Sequence, residues 1–338
     1  MSQQVAEEAP VTSPLDVRTV RVRSLVESNA LLALLVLVAV FFSVLPASRD
    51  VFLSVDNLSV LLSTQATVAL IALALILPLV SGYFDFSVGA NAAVSTVLSA
   101  GLMSRLDLPL SVACVVCVAV GALIGLVNGA LVTRFRMNAF VTTLGMATFL
   151  GGLIQWYTGG QTILKGISPD LIQFGATSLA GIPLVAYIVV VVAAVLWYLL
   201  AQTPYGRALY AIGVNPRAAR LVGIRSERYV AVSFVMAGTI ASAAGILQLA
   251  RTGSATADSG TSLLFPALAA AFLGSTAVRP GFFNVVGTVI GVLFVSVAVS
   301  GLTLAGAEAW VSPVFNGAAL LTAVGFSTCL GRHRGQAT

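Results

Sequence analysis

The sequence has 338 residues, 58% of them hydrophobic and only 9% charged, with a formal net charge of +5 and a mean hydropathy of +1.02. No water-soluble domain of this length has such a balance, so composition alone reads as an all-α polytopic membrane protein. The basic excess is then a matter of topology and anionic lipid, and does not point to nucleic acid.

A bilayer core of about 30 Å takes about 20 helical residues to cross. Cutting the chain at its polar breaks leaves ten segments near that length: 29–46, 58–80, 88–104, 108–130, 138–158, 183–201, 230–250, 263–275, 284–306 and 312–331. Residues 1–28 are expected to form a cytoplasmic tail, with Met1–Pro14 disordered. No small-x-small site closes the first apolar run, so it reads as an uncleaved first span and not a signal peptide. The third and eighth segments are short, which suggests broken or re-entrant helices shielded from lipid by protein.

Few polar side chains interrupt the spans. Gln65 lies in the second, Thr142 and Thr143 in the fifth, and Asn316 in the tenth; each either faces a pathway or bonds across to a neighbouring helix. Asp85, in the turn before the third span, is the one acid outside a tail or an open loop. With Ser87 and Asn91 it is a candidate for the pathway, and equally for capping the N-terminus of that span. Cys114 and Cys117 have C-x-x-C spacing inside an apolar helix, with no second pair, and read as packing.

The longest polar interruption, Gly206–Val230, carries five arginines and one acid. Asn215 suits an N-cap, Pro216 the first helical position and Gly223 a stop, which predicts a helix of about seven residues. So short a helix is unstable alone in water and needs a surface to pack on. Ala218, Leu221 and Val222 fall on one apolar face, with Arg217 and Arg220 off it. Two readings stand: a basic loop that fixes topology, or a docking element.

With both termini cytoplasmic, ten spans put 13 of the 17 Lys and Arg on the inner side, the positive-inside pattern. Arg49, Arg105, Lys165 and Arg251 remain outside, where they can pair with acids of an extracytoplasmic protein. Residues 332–338 form a second cytoplasmic tail. Val120–Leu126 of the fourth span echoes Val286–Val292 of the ninth, each with a GxxxG pair. Five spans apart, the two run in opposite directions; the echo is either an inverted repeat or a chance match among valines and glycines.

Several functions are excluded. The single lysine, Lys165, is followed by Gly166, so no Walker A loop exists and the chain is no P-loop ATPase by itself. His333, the only histidine, lies in the C-terminal tail, which removes a His-based metal site or a catalytic triad from the membrane. Neither metal nor cofactor is called for. An ion-coupled secondary transporter is the alternative class, but it needs charged coupling sites that the spans hardly offer.

Several separated motifs carry a resemblance. Phe84–Gly89 looks like a D-L-S-V-G segment, and Asn138–Met146 is similar to P-F-I-x-T-L-G-M, followed by the turn Tyr157–Gly160. Gly206–Ile224 looks like G-R-x-x-x-A-x-G-x-N-x-x-A-A-x-x-x-G-I, and Phe272–Thr276 resembles L-G-G-T. Over roughly residues 30–330 the chain resembles the permease subunits of bacterial ATP-binding-cassette importers for ribose, xylose, arabinose, galactose and related small molecules, within the branched-chain amino acid and simple-sugar permease superfamily. Phe86 in place of Leu, Asn138 in place of Pro, and Arg279–Asn284 in place of a Gly-Gly-rich turn are departures that leave the substrate open. The resemblance implies a second permease copy or a close relative, a cytoplasmic ATPase subunit and an extracytoplasmic solute-binding protein. It assigns Arg207, Asn215, Ala219, Arg220, Leu221, Gly223 and Ile224 to contact with the ATPase, and implies a monosaccharide as the solute.

Overall fold

The computed structural model describes residues 14–258 and 260–335, with side chains described for 28–258, 260 and 262–325. In chain order the elements are α1 (Pro14–Val44), α2 (Arg49–Phe52), α3 (Val55–Val80), α4 (Ser87–Leu106), α5 (Leu110–Thr133), α6 (Ala139–Thr158), α7 (Pro169–Ala176), β1 (Ser178–Leu179), β2 (Ile182–Pro183), α8 (Leu184–Gln202), α9 (Pro204–Val214), α10 (Pro216–Leu221), α11 (Ser226–Thr252), α12 (Thr261–Gly274), α13 (Val285–Leu304) and α14 (Val311–Gly335). β1 and β2 form one antiparallel hairpin. Among the described residues α3, α5, α6, α8, α11 and α13 are long and apolar enough to cross a membrane, and Ser28–Val44, Ser262–Gly274 and Val311–Gly325 are shorter apolar helices. Together with α4 these are the ten segments expected from sequence. α1 is helical from Pro14 and α14 continues to Gly335, so helix extends into both expected tails. The expectation for Met1–Ser13, and for residues 336–338, lies outside the described residues.

Of the two spans expected to be broken, α4 is a full 20-residue helix. The eighth is continuous but short, a 14-residue helix preceded by irregular backbone. After Gly253, in the left-handed region at φ 61°, the chain runs extended, pairs Ala255 with Ile163 in a single antiparallel bridge, and brings Gly260 against the backbone of Gly89 and Ala93 before the 14-residue α12 begins. Ala255 has no exposed surface. Protein therefore supplies the shielding that unpaired backbone needs in lipid.

The core is built around α3, in which every side chain from Leu70 to Leu77 is 0% exposed. A helix that is apolar all round belongs in such a position; α8, α11, α12 and α13 enclose it. Packing also recurs with an offset of five spans. α4 packs on α5, α6 and α11, while α12 packs on α13, α14 and α3. An odd offset reverses direction across the bilayer, as an inverted repeat requires. The glycine pairs do not carry this relation: Gly121 and Gly125 bring α5 against Gly238 and Phe234 of α11, whereas Gly287 and Gly291 bring α13 against Gly274 and Ala270 of α12.

Candidate functional site

The basic interruption between α8 and α11 folds as two short helices. Thr203 caps α9, accepting from the Gly206 N–H, and Pro204 opens it. Two tyrosines then tie α9 down: the Tyr205 hydroxyl donates to the Tyr229 carbonyl at 3.1 Å, and the Tyr210 hydroxyl to the Phe283 carbonyl at 2.7 Å. Burial pushes both phenols above their ordinary range, with Arg279 partly opposing the shift at Tyr210, so both remain donors. Leu209 and Ile212 are fully buried, and Gly213 lies against the Val80 carbonyl at the end of α3.

α10 follows the expected punctuation over six residues. Asn215 Oδ1 accepts from the N–H groups of Arg217 and Ala218, both at 3.0 Å, and Gly223 at φ 85° ends the turn. The Ile224 N–H returns to the Ala219 carbonyl at 3.0 Å, satisfying one of the last carbonyls of the helix. The seat differs from the face expected from sequence. Ala219, 3% exposed, is the buried residue, and with Ile224 it packs into a cluster of Val132, Ile212, Val230 and Phe234. Ala218 is exposed, and Leu221 and Val222 point away from the protein at 88% and 77% exposed. Arg207, Arg217, Arg220, Arg225 and Arg228 are all exposed around them.

A second polar feature runs inside the bundle. Ser87, Asn91, Ser95 and Ser99 recur every four residues on α4, and all are buried. Asp85 Oδ1 accepts from the Ser87 N–H at 3.0 Å and its hydroxyl at 2.6 Å, while Asn128 of α5 donates to the Ser87 hydroxyl at 2.7 Å. Asp85 sits in the turn before α4, where burial pushes its carboxyl up to about 6 against the opposing pull of the Ser87 bonds. Asn91 donates to the carbonyls of Gly121 and Gly238, each at 3.2 Å, Ser95 pairs with Ser242 at 2.6 Å, and Thr96 donates to the Gly245 carbonyl at 2.9 Å. Thr143 accepts from the Phe86 N–H at 3.0 Å.

The structure thus brings together Asp85, Ser87 and Thr143, with Asn91 one turn further along α4, and gives all four bonds within the bundle. Thr142 bonds only its own helix, at the Asn138 carbonyl. Gln65 is half-buried on α3, and Asn316 is buried on α14. Asn128 is the member that sequence reasoning missed; its signal was a lone amide in an otherwise apolar span. Cys117 donates to the Ser95 carbonyl at 3.7 Å, and among the described residues no three metal-ligating side chains meet.

At the opposite end, Arg105 lies 4.4 Å from the centre of the Tyr157 ring and donates to that residue's carbonyl. Arg251 donates to Gln248, Arg49 pairs with Asp50 at 3.4 Å, and Lys165 is exposed. A groove of about 750 Å³ follows one face of α6, lined by Val141, Gly145, Thr148, Gly152 and Leu153 among others.

Residues 57–324 match the family described as branched-chain amino acid transport system / permease component. The chain belongs to this permease family. Among curated relatives, the permease is 32% identical over 303 residues to the ribose import permease protein RbsC of Escherichia coli strain K12, covering 89% of this chain and 93% of that one. It is 31% identical over 315 residues to RbsC of Haemophilus influenzae, covering 92% and 96%. It is 33% identical over 302 residues to the autoinducer 2 import system permease protein LsrC of Shigella flexneri, covering 89% and 87%. No solved structure matches it. Family and helices together make this a multi-pass membrane permease.

Proposed function

We propose that this chain is the membrane-spanning subunit of an ATP-binding-cassette importer, which forms the pathway for a monosaccharide while a separate cytoplasmic subunit hydrolyses ATP. The observation that carries the reading is α10 itself. It is a capped, six-residue helix seated by Ala219, with Leu221 and Val222 turned outward among exposed arginines. An apolar tip on a braced, basic helix has the chemistry of a docking knob. Arg207, Asn215, Ala219, Arg220, Leu221, Gly223 and Ile224 serve this contact, some by touching the ATPase and Asn215, Ala219, Gly223 and Ile224 by shaping the helix. ATPase closure then moves α9 and α10, whose rigid ties pass the movement to the spans.

Both termini lie in the cytoplasm on this reading. A second copy, or a close relative, closes the groove of α6 and encloses the pathway, with Gln65, Thr142 and Asn316 near it. Asp85, Ser87, Asn91 and Thr143 hold the helices that frame it. Arg49, Arg105, Lys165 and Arg251 face the solute-binding protein. Identity is similar to relatives named for ribose, 32%, and for autoinducer 2, 33%; the monosaccharide rests on the former.

Purification in mild detergent from the native host tests the reading. A cytoplasmic ATPase should be retained, and lost on Arg220→Glu with Gly223→Arg. Uptake of labelled pentoses and hexoses that survives an uncoupler but stops on ATP depletion supports the importer. Uptake that follows an ion gradient with no ATPase bound means a secondary transporter.

A further inference from the structure

Aromatic rings from separate segments touch in a row beside α9. Phe283, in the turn between α12 and α13, meets Phe272 edge-on at 5.1 Å between centroids. Phe272 stacks on Phe84 at 6.0 Å, and Phe84 on Phe86 at 6.2 Å. Phe86 then meets Phe140, in the first turn of α6, edge-on at 5.0 Å. All four spacings are those of rings in contact. Tyr210 closes the near end through its bond to the Phe283 carbonyl and an edge contact with Phe282 at 6.3 Å.

The row joins two elements whose main packing partners differ. α9 packs on α3, α8, α10 and α11, and α6 packs on α4 and α5. We propose that the row is a mechanical link carrying displacement of α9 to the start of α6, with Tyr210 as the positioning residue at its head. The inference rests on the reading of α9 and α10 as the ATPase contact.

Both ends of the row are firmly held. Asn284 donates to the carbonyls of Ala277 and Phe282 and fixes the turn that carries Phe283. At the far end the Phe86 N–H donates to Thr143, whose hydroxyl is also bonded to the Ala139 carbonyl at the start of α6. Packed rings do not interpenetrate, so a push at Phe283 must move its neighbours or rotate them. Phe84 and Phe140 are partly exposed, which lets the row shift without opening the core. A parallel contact runs beneath α10, where Ala139 borders the cluster around Ala219 and Ile212. That cluster contains docking residues and the row does not, so the two separate by mutation.

The test uses the complete complex with its ATPase, in a background with the native cysteines replaced by alanine, and a spin label at Trp156→Cys, exposed near the end of α6 and not among the residues that line its groove. In the otherwise unmodified complex, Mg-ATP with vanadate should change the label's spectrum. Tyr210→Phe removes one hydrogen bond and Phe84→Leu one ring. Each should reduce that change about fivefold, as the loss of roughly one hydrogen bond or one ring contact implies, with the rate of ATP hydrolysis kept and the melting temperature lowered by no more than about 4 °C. Since both cut one link, the double variant should fall no further than the weaker single. An undiminished spectral change in the singles, or independent losses that multiply in the double, overturns the row. A lowered melting temperature with the spectral change intact assigns the rings to stability alone and also overturns it. Failure of the unmodified protein to retain any ATPase overturns the docking reading, and this inference with it.

Discussion

Asn128 of α5 donates to the hydroxyl of Ser87, the first residue of α4, at 2.7 Å across 41 positions of sequence. Ser87 in turn donates to Asp85, so one amide, one hydroxyl and one carboxyl hold the start of α4 against α5. Asn128→Leu should lower the stability of the detergent-solubilised protein by about 1–3 kcal/mol, because the serine loses a buried partner. Thermal unfolding checks this, with Ser87→Ala in the same background adding a further loss, because Asp85 then loses its hydroxyl donor.

The Asp85 carboxyl is raised from 3.8 to about 6 by burial. Between those values the folded protein holds a proton that the unfolded chain has released. This contribution is therefore full below pH 3.8 and is lost as pH rises through about 6, over a range worth about 3 kcal/mol. Asp85→Asn keeps the acceptor for Ser87 and removes the charge. It should flatten the pH profile of melting between pH 4 and 6, raise stability at pH 7, and retain transport. Lost transport with an unchanged fold would assign the charge a role in the pathway.

Gly223 occupies the left-handed region at φ 85°, with open space around its α-carbon. A side chain there costs about 1–2 kcal/mol of backbone strain and projects into that open space. Gly223→Arg should reach the membrane at normal levels and transport nothing, measured by membrane fractionation and uptake. On the proposed docking reading, Leu221→Glu should lose the ATPase with a folding stability within about 0.5 kcal/mol of unmodified protein, the range for exposed positions.

Two helix glycines should respond oppositely to the same change. A β-carbon at Gly125 would collide with the Phe234 backbone of α11, whereas nothing lies near Gly145 on α6. Gly125→Val should give a protein that is degraded or aggregates on extraction. Gly145→Val should fold as a single chain and lose the proposed second copy, read by size-exclusion chromatography with light scattering.

Much of the site was legible because caps and stops are local chemistry. Asn215, Pro216 and Gly223 announced α10 without any tertiary information. Its orientation was not legible. The usual rule turns the larger apolar face inward, yet here the small Ala219 sits against the protein and Leu221 and Val222 face out; that rule assumes a helix with nothing further to bind. The bonds of the α4 seam were hidden for a different reason. Small hydroxyls and amides every four residues show which side of a helix is packed, but Ser95 meeting Ser242, 147 positions away, depends on which helix arrives there. Likewise the two glycine pairs read alike in sequence and pack on non-equivalent helices, so the echo between them does not report the five-span recurrence of contacts.

The enclosure of α3 has a consequence for how the molecule is made. The helices that wrap it, α8, α11, α12 and α13, all follow it in the chain and so leave the ribosome after it. Until they appear, Leu70–Leu77, wholly buried at the end, has mainly lipid for company. Exchanging acyl chains for protein gains little from hydrophobicity, since both are equally oily, so shape complementarity must drive the step. Errors of size within α3 should therefore leave membrane insertion untouched and strike at maturation, accumulating a species that spans the bilayer with its central helix still in contact with fat.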